Sequence, residues 1–503
     1  MFVLLCFLLL CEPPQHIKAL KGAAIPTGPV VREIWYNRMN AQGKLGWLQM
    51  LSYEVKENEK TLIKTVIRDH LRYLRSGDPY SEDSEQYSIE TSEGNVVEVG
   101  YRTSLGKHQD LVIRGRPQGN RITLEVLDHA GKKVVYRQEK PWNPEAKGLL
   151  YQDKLLEGKD LSIGKSYSVN GFLSIINEVT SSTYVILGRK QMSVDGVLKE
   201  LVEVEQRYPK ELYIDPSRHY LDPATGEPVI STEDNSLFVL VMHERVSREK
   251  ALEAFPGNVK DKDAPVTIDK PIPMSLFGLP VRLRLAVEMS QDDHPEQVFL
   301  NTRRQQFVKK EGKRAEFRLA KKELEGLPAI KEAVPGPEYL SSNFYIRSDD
   351  ALVKKHAQDA IRDATEPRHK MERITRWVSR NVKGDYETGF ITADEVARTM
   401  EGDCTEMGVL AAAMARTQGI PARICFGLVY DPVNNGFAGH LWSEAWIDNQ
   451  WQTFDPTGVL DSSGAAWLRI DGYSMMDVLN PDEMTGVRRG FAGRMKVFLL
   501  DTK

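Results

Sequence analysis

Three residues in the last quarter of the 503-residue chain have the types and order for covalent acyl chemistry: Cys404, His440 and Asp455. A thiol is a strong nucleophile once ionised. An imidazole can take its proton, and a carboxylate behind the imidazole fixes its tautomer and steadies the imidazolium. Such a set attacks an amide carbonyl, releases ammonia or an amine, and leaves a thioester for water or another amine to resolve. It calls for no metal and no organic cofactor. No pair of Cys-x-x-Cys or His-x-x-x-His ligands occurs in the chain, so no structural zinc site is expected.

The cysteine follows a helix-start signal. In Glu401-Gly402-Asp403-Cys404-Thr405-Glu406, Asp403 and Glu406 stand three apart as in a capping box, and the apolar run Met407, Leu410, Ala411 and Met414 begins at once. The helix is expected to end at Gly419, with Pro421 preventing its continuation. Cys404 then lies in the first turn of a buried helix, where the partial positive charge of the helix start favours a thiolate. A cysteine in such a helix is more often a packed small hydrophobe. The placement therefore needs a partner.

Register supplies one. Ile424 to Tyr430 reads as a strand, Asp431 to Gly439 as a loop, Gly439 to Trp446 as a second strand, Asp448-Asn449 as a tight turn and Trp451 to Asp455 as the returning strand. A two-residue turn pairs Ile447 with Gln450 and sets Trp442 opposite Asp455. His440 and Asp455 become diagonal neighbours on one face, with Cβ atoms on the order of 7 Å apart or less. A turn at Asn449-Gln450 keeps the parity but widens the gap, and an odd-length loop breaks the pairing. The oxyanion would be met by the Cys404 backbone N–H and a second donor, for which Tyr386, Trp377 and Asn381 are candidates. Tyr386 and Trp377 also read as wall and core residues. Trp442 and Trp446 share the His440 face and would shield the imidazole or line the cleft. Glu444 would hydrogen-bond near the site or cap a strand end. Cys425, in an apolar strand, reads as structural, and a Cys404–Cys425 disulfide would disarm the nucleophile. His16, His70, His129, His243 and His369 have no matching partners and read as surface or core residues.

Four blocks, Gly402-Asp403-Cys404-Thr405-Glu406, Gly419-Ile420-Pro421-Ala422-Arg423, Gly439-His440-Leu441-Trp442-Ser443-Glu444 and Trp451-Gln452-Thr453-Phe454-Asp455-Pro456-Thr457, resemble the successive signatures of the transglutaminase-like superfamily. The resemblance covers about a quarter of the chain and implies a papain-like cysteine fold in which Cys404, His440 and Asp455 take the triad positions. Met407 departs from it, since similar bacterial sequences often carry His there, but no mechanistic role attaches to that position.

Around this region the length predicts about three domains. Residues 1–24 read as a signal-like leader, because Phe2 to Leu10 is apolar but too short for a membrane helix of about 20 residues. No Lys or Arg precedes this run, and a hydrophobic N-terminal segment packed on the fold is the alternative. Residues 25–255 read as a large antiparallel β-rich domain, open and curved or folded into a partial barrel, with Pro26 to Asn40 as a lead-in containing one helix. Residues 256–337 read as a linker and small β-region, and 338–503 as the catalytic domain, whose helices are expected at Ser348 to Arg362 and Glu366 to Asn381. The expected fold class is α+β.

A net charge of −4 with mixed surface charges points away from nucleic acid or an anionic membrane surface. The expected function is thiol-dependent acyl transfer or hydrolysis on protein or peptide amides, with protease or amidase chemistry favoured through the resemblance. The alternatives are a cross-linking transglutaminase, a non-catalytic envelope module that binds peptides, and a lipid- or glycan-binding β-domain served by the thiol domain. The leader implies an exported protein, in the periplasm, the envelope or secreted, and could also hold it at a membrane.

Overall fold

The structure is a computed structural model. It describes residues 26–502 apart from 58, 76, 107–108, 128–132, 175–176, 195, 210–215, 236–238, 261–265, 275–277, 290–294, 300, 323, 325–332, 390, 463 and 474–494. The expected leader lies outside the described residues. Among those described, no helix is long and apolar enough to cross a membrane.

The chain is mostly β. Among the described residues, fourteen strands between Val30 and Val246 form one antiparallel sheet. Its middle is the strand Val30–Asn40, which pairs with Gly43–Glu57 on one side and with Val239–Val246 on the other. This corrects the expected helix in the lead-in. Val30, Val31, Ile34, Trp35 and Tyr36 favour a strand, and residues on both faces are buried, so the local pattern shows neither period cleanly. From this strand successive hairpins run outwards to edges at Val134–Pro141 and Ser166–Leu173. The sheet curls until the edges approach: Trp142 lies 6.1 Å from Phe172, and Lys147 bridges both Asn95 and Gly171. The short helix Leu149–Asp153 packs Leu150 against Ile34, Tyr36 and Met50 of the sheet.

The C-terminal part is a layered unit. Helices α1 (Ala351–Ile361), α2 (Pro367–Asn381), α3 (Ala393–Thr399) and α4 (Cys404–Thr417) share one core. α4 is apolar all round and buried accordingly. Strands β1 (Ala422–Asp431), β2 (Gly436–Ile447), β3 (Gln450–Phe454) and β4 (Trp467–Tyr473) form the sheet beneath it, joined by Val266–Thr267 from the expected linker. β2 thus begins three residues earlier than expected, within the stretch read as a loop. Val99, Leu111, Ile113 and Leu124 of the N-terminal sheet enter the same core as the helices. On the other side, Leu428, Phe437 and Leu468 pack on a four-stranded sheet. That sheet holds Arg282–Met289, Gln305–Glu311 and Arg314–Ala320 together with the last strand, Met495–Thr502. Both ends of the C-terminal half therefore contribute to one small sheet.

Candidate functional site

Cys404 is the first residue of α4, and its cap is built as a reciprocal pair. The Asp403 carboxylate accepts the Thr405 N–H at 2.8 Å, and the Glu406 carboxyl accepts the Asp403 N–H at 2.9 Å. Glu406 is buried, and burial together with the Asp403 charge beside it pushes its carboxyl well above the ordinary carboxylate range. Gly419, just past the helix, has φ +70°, the left-handed value that suits glycine at a helix end. Cys404 is a free thiol and half-buried.

The second half of the site rests on the hairpin of β2 and β3. Asp448 and Asn449 both have positive φ, 54° and 58°, as a two-residue turn of the I′ kind requires. The ladder runs from Ile447 opposite Gln450 to Ser443 opposite Phe454. Asp455 is the next residue, so His440 falls on its diagonal. His440 Nε2 and Asp455 Oδ2 are 3.1 Å apart, and both side chains are buried. Asp455 is held by the N–H of Leu460 at 2.9 Å, the N–H of Thr457 at 3.0 Å and the Thr457 hydroxyl at 2.7 Å. Burial works to raise its carboxyl, but the hydrogen bond and charge of His440, with the backbone donors, hold it below the usual range. For His440 burial opposes the charge, yet the hydrogen bond to Asp455 and the neighbouring Cys404 lift the imidazole to about 10. His440 Nε2 faces Asp455 and, at 3.4 Å, the Thr457 hydroxyl. An imidazolium so placed stabilises a thiolate, and the first-turn N–H groups of α4 offer donors to an oxyanion.

The remaining candidates divide. Trp442 is fully buried with its ring 6.1 Å from that of His440 and 5.5 Å from Trp467, so it backs the imidazole. Glu444 lies on the same strand face but forms a buried ion cluster. Arg423 donates to it at 2.9 and 2.6 Å, Arg469 lies at 3.5 Å, and these charges outweigh burial and hold the carboxyl at about 2. Cys425 is buried beside this cluster, and burial, then the Glu444 charge, pushes its thiol up to about 12. Tyr386 is half-exposed on the loop after α2, next to Asp385, whose N–H donates to the Gly402 carbonyl at 3.2 Å. Trp377 packs its ring 4.8 Å from His356 of α1, and the exposed Asn381 gives its amide to the Trp377 carbonyl at 2.7 Å. These two are engaged along the helix pair. Sequence reasoning missed Thr457, which clamps Asp455; the Asp-x-Thr spacing is the turn signal that could have found it. It also missed Arg423 and Arg469 as partners of Glu444. Among the described residues, no group of three or more His, Cys, Asp or Glu could hold a metal ion.

Residues 354–456 match the transglutaminase-like superfamily. Over 104 residues the chain is 31% identical to an uncharacterized protein of Haemophilus influenzae, an alignment taking in 20% of this chain and 28% of that protein. The chain thus spans little more than a quarter of that relative's length. Among solved structures it is similar to a candidate cysteine protease of Cytophaga hutchinsonii, with 17% identity, a TM-score of 0.31 and coverage of 44% of this chain and 92% of the other. It is also similar to a β-barrel-like protein of a domain of unknown function from Brucella abortus, with 12% identity, a TM-score of 0.31 and coverage of 44% and 98%.

Proposed function

We propose that this protein is a thiol hydrolase of protein or peptide amides, with Cys404 as nucleophile, His440 as proton carrier and Asp455 as the residue that orients and charges the imidazole. The observation that carries the reading is a buried imidazole whose Nε2 meets a buried, triply held carboxylate at 3.1 Å, with a free, half-buried cysteine at a helix start as its neighbour. The Cys404 thiolate attacks the amide carbon, and the charge on oxygen develops next to the first-turn N–H groups of α4. The imidazolium gives its proton to the departing amine, leaving a thioester on Cys404. His440 then takes a proton from water as water attacks, and the carboxylic acid leaves with the thiolate restored. Water needs no binding site of its own, which is why hydrolysis is preferred here over transfer to a second amine. The apolar run Phe2 to Leu10 supports placing this chemistry outside the cytoplasm.

The test is the rate of iodoacetamide labelling at Cys404 against pH in wild type and in His440→Ala, read by peptide mapping. Fast labelling that persists below pH 7 and collapses in the variant supports the pair. Labelling typical of a thiol with pKa ~8.5 and indifferent to His440 would overturn it. A product in which a lysine amine replaces water would turn the reading to cross-linking.

A further inference from the structure

The loop that follows α2 is held from two sides. On one side it runs beside the entry to α4: Lys383 and Gly384 pair in parallel with Glu401 and Gly402, and the Asp385 N–H donates to the Gly402 carbonyl at 3.2 Å. Cys404 stands two residues further on. The Asp385 carboxylate accepts the Glu387 N–H at 2.7 Å and turns the chain into Thr388, which is buried. On the other side is the N-terminal sheet. Gly106, directly after the strand Val96–Leu105, bridges Thr388 in antiparallel fashion. Its own N–H donates to the Ser81 carbonyl at 2.9 Å, inside the strand Asp78–Glu90. Gly106 has φ +57°, and a Cβ there would collide with the Glu387 carbonyl oxygen. A glycine meets both demands without strain or collision. The contact has support around it, because Val99, Leu111 and Ile113 share a core with Val382 and Ile391, which bracket the loop.

We propose that Gly106 is a positioning residue for Cys404: through the loop 385–389 the N-terminal sheet sets the turn from Gly402 to Cys404, so the thiol depends on a strand pair lying wholly outside the transglutaminase-like stretch 354–456. On the sheet side the loop is tied by one isolated bridge, Gly106 to Thr388, and a segment held there by so few bonds opens locally when that bridge is lost. A nucleophile whose supporting turn shifts loses the pre-organised geometry on which its reactivity rests. The labelling arm of the test rests on the proposed reading of Cys404; the exchange arm does not.

The experiment compares full-length Gly106→Val with Gly119→Val. Gly119 also has a left-handed φ, +60°, but nothing lies within 4 Å of a Cβ there. Both variants place a β-branched residue in the same strained conformation, and only the first collides with the loop. Backbone hydrogen exchange is followed at residues 383–389 and 402–407, and iodoacetamide labelling of Cys404 is followed against pH. In Gly106→Val both segments exchange faster, labelling at neutral pH slows by about 10- to 100-fold, and its pH profile changes; Gly119→Val matches wild type in all three. Equal exchange in the two variants overturns the proposal. So does faster exchange with an unchanged labelling rate and profile. Should wild-type Cys404 label as an ordinary thiol, the proposed hydrolase falls, while exchange at 402–407 still decides the clamp. If the valine variant does not fold, the alanine pair at the same two positions carries the same comparison.

Discussion

Asp455→Asn separates the charge of this carboxylate from its shape. Oδ2 lies 3.1 Å from His440 Nε2 and 2.9 Å from the Leu460 N–H, while Oδ1 serves the Thr457 N–H at 3.0 Å and hydroxyl at 2.7 Å. An asparagine that keeps its oxygen towards Thr457 turns its NH2 group towards two N–H groups, those of Leu460 and protonated His440. Donor then faces donor. A hydrogen bond with a charged partner contributes about 1.5–3 kcal/mol. At tenfold per 1.36 kcal/mol, the imidazolium should be disfavoured by roughly 10- to 150-fold. Because thiolate and imidazolium stabilise each other, Cys404 should alkylate about 10- to 100-fold more slowly at neutral pH. The assay is iodoacetamide incorporation at the Cys404 peptide from pH 5 to 9, with Thr457→Val as a milder companion that loses only one bond to Asp455. An Asp455→Asn profile that overlays wild type, in a variant shown to be folded, would refute the reasoning.

Three further outcomes follow from the same geometry. Stability should depend on pH through His440 and Asp455. His440 has an ordinary value of 6.5 and is lifted to about 10, so its contribution is complete below 6.5 and is lost on rising to about pH 10. Asp455 is held below its ordinary 3.8, so its contribution is present above 3.8 and is lost as pH falls through the lowered value. Urea midpoints should therefore decline from pH 6 to 10, and less steeply in His440→Gln; equal slopes would contradict this. Glu444→Gln leaves Arg423 and Arg469 buried without their counter-charge and should cost about 3–5 kcal/mol in urea unfolding, whereas a loss under 1 kcal/mol would mean the cluster is hydrated. Asn449→Val forces a β-branched residue into the left-handed region and should cost about 1–2 kcal/mol, read by thermal unfolding, while Asn449→Gly at the same site should be neutral or stabilising.

Local signals carried the reading of the site. A capping box acts within four residues, so Asp403 and Glu406 announced where α4 starts and put Cys404 in its first turn. Asp448 and Asn449 tolerate positive φ, so the turn length and the register of β2 against β3 could be counted from the sequence, and His440 and Asp455 came to one face by parity. The α1 and α2 helices, found at Ala351–Ile361 and Pro367–Asn381, were legible from apolar spacing in the same way.

What the tertiary structure alone decided were the partnerships between distant segments. Val30–Asn40 became the central strand because two halves of a long sheet close on it, and no residue within that segment encodes the arrival of Val239–Val246 some two hundred positions later. Met495–Thr502 completes a sheet begun at Arg282 for the same reason. Whether Glu444 would face substrate or salt depended on Arg469, which β4 brings to it only after folding. The part Gly106 plays emerges only when the loop at Thr388 is laid against it. Turn, cap and period are properties of a few adjacent backbone units, whereas long-range pairing is settled by which distant surfaces can bury one another together.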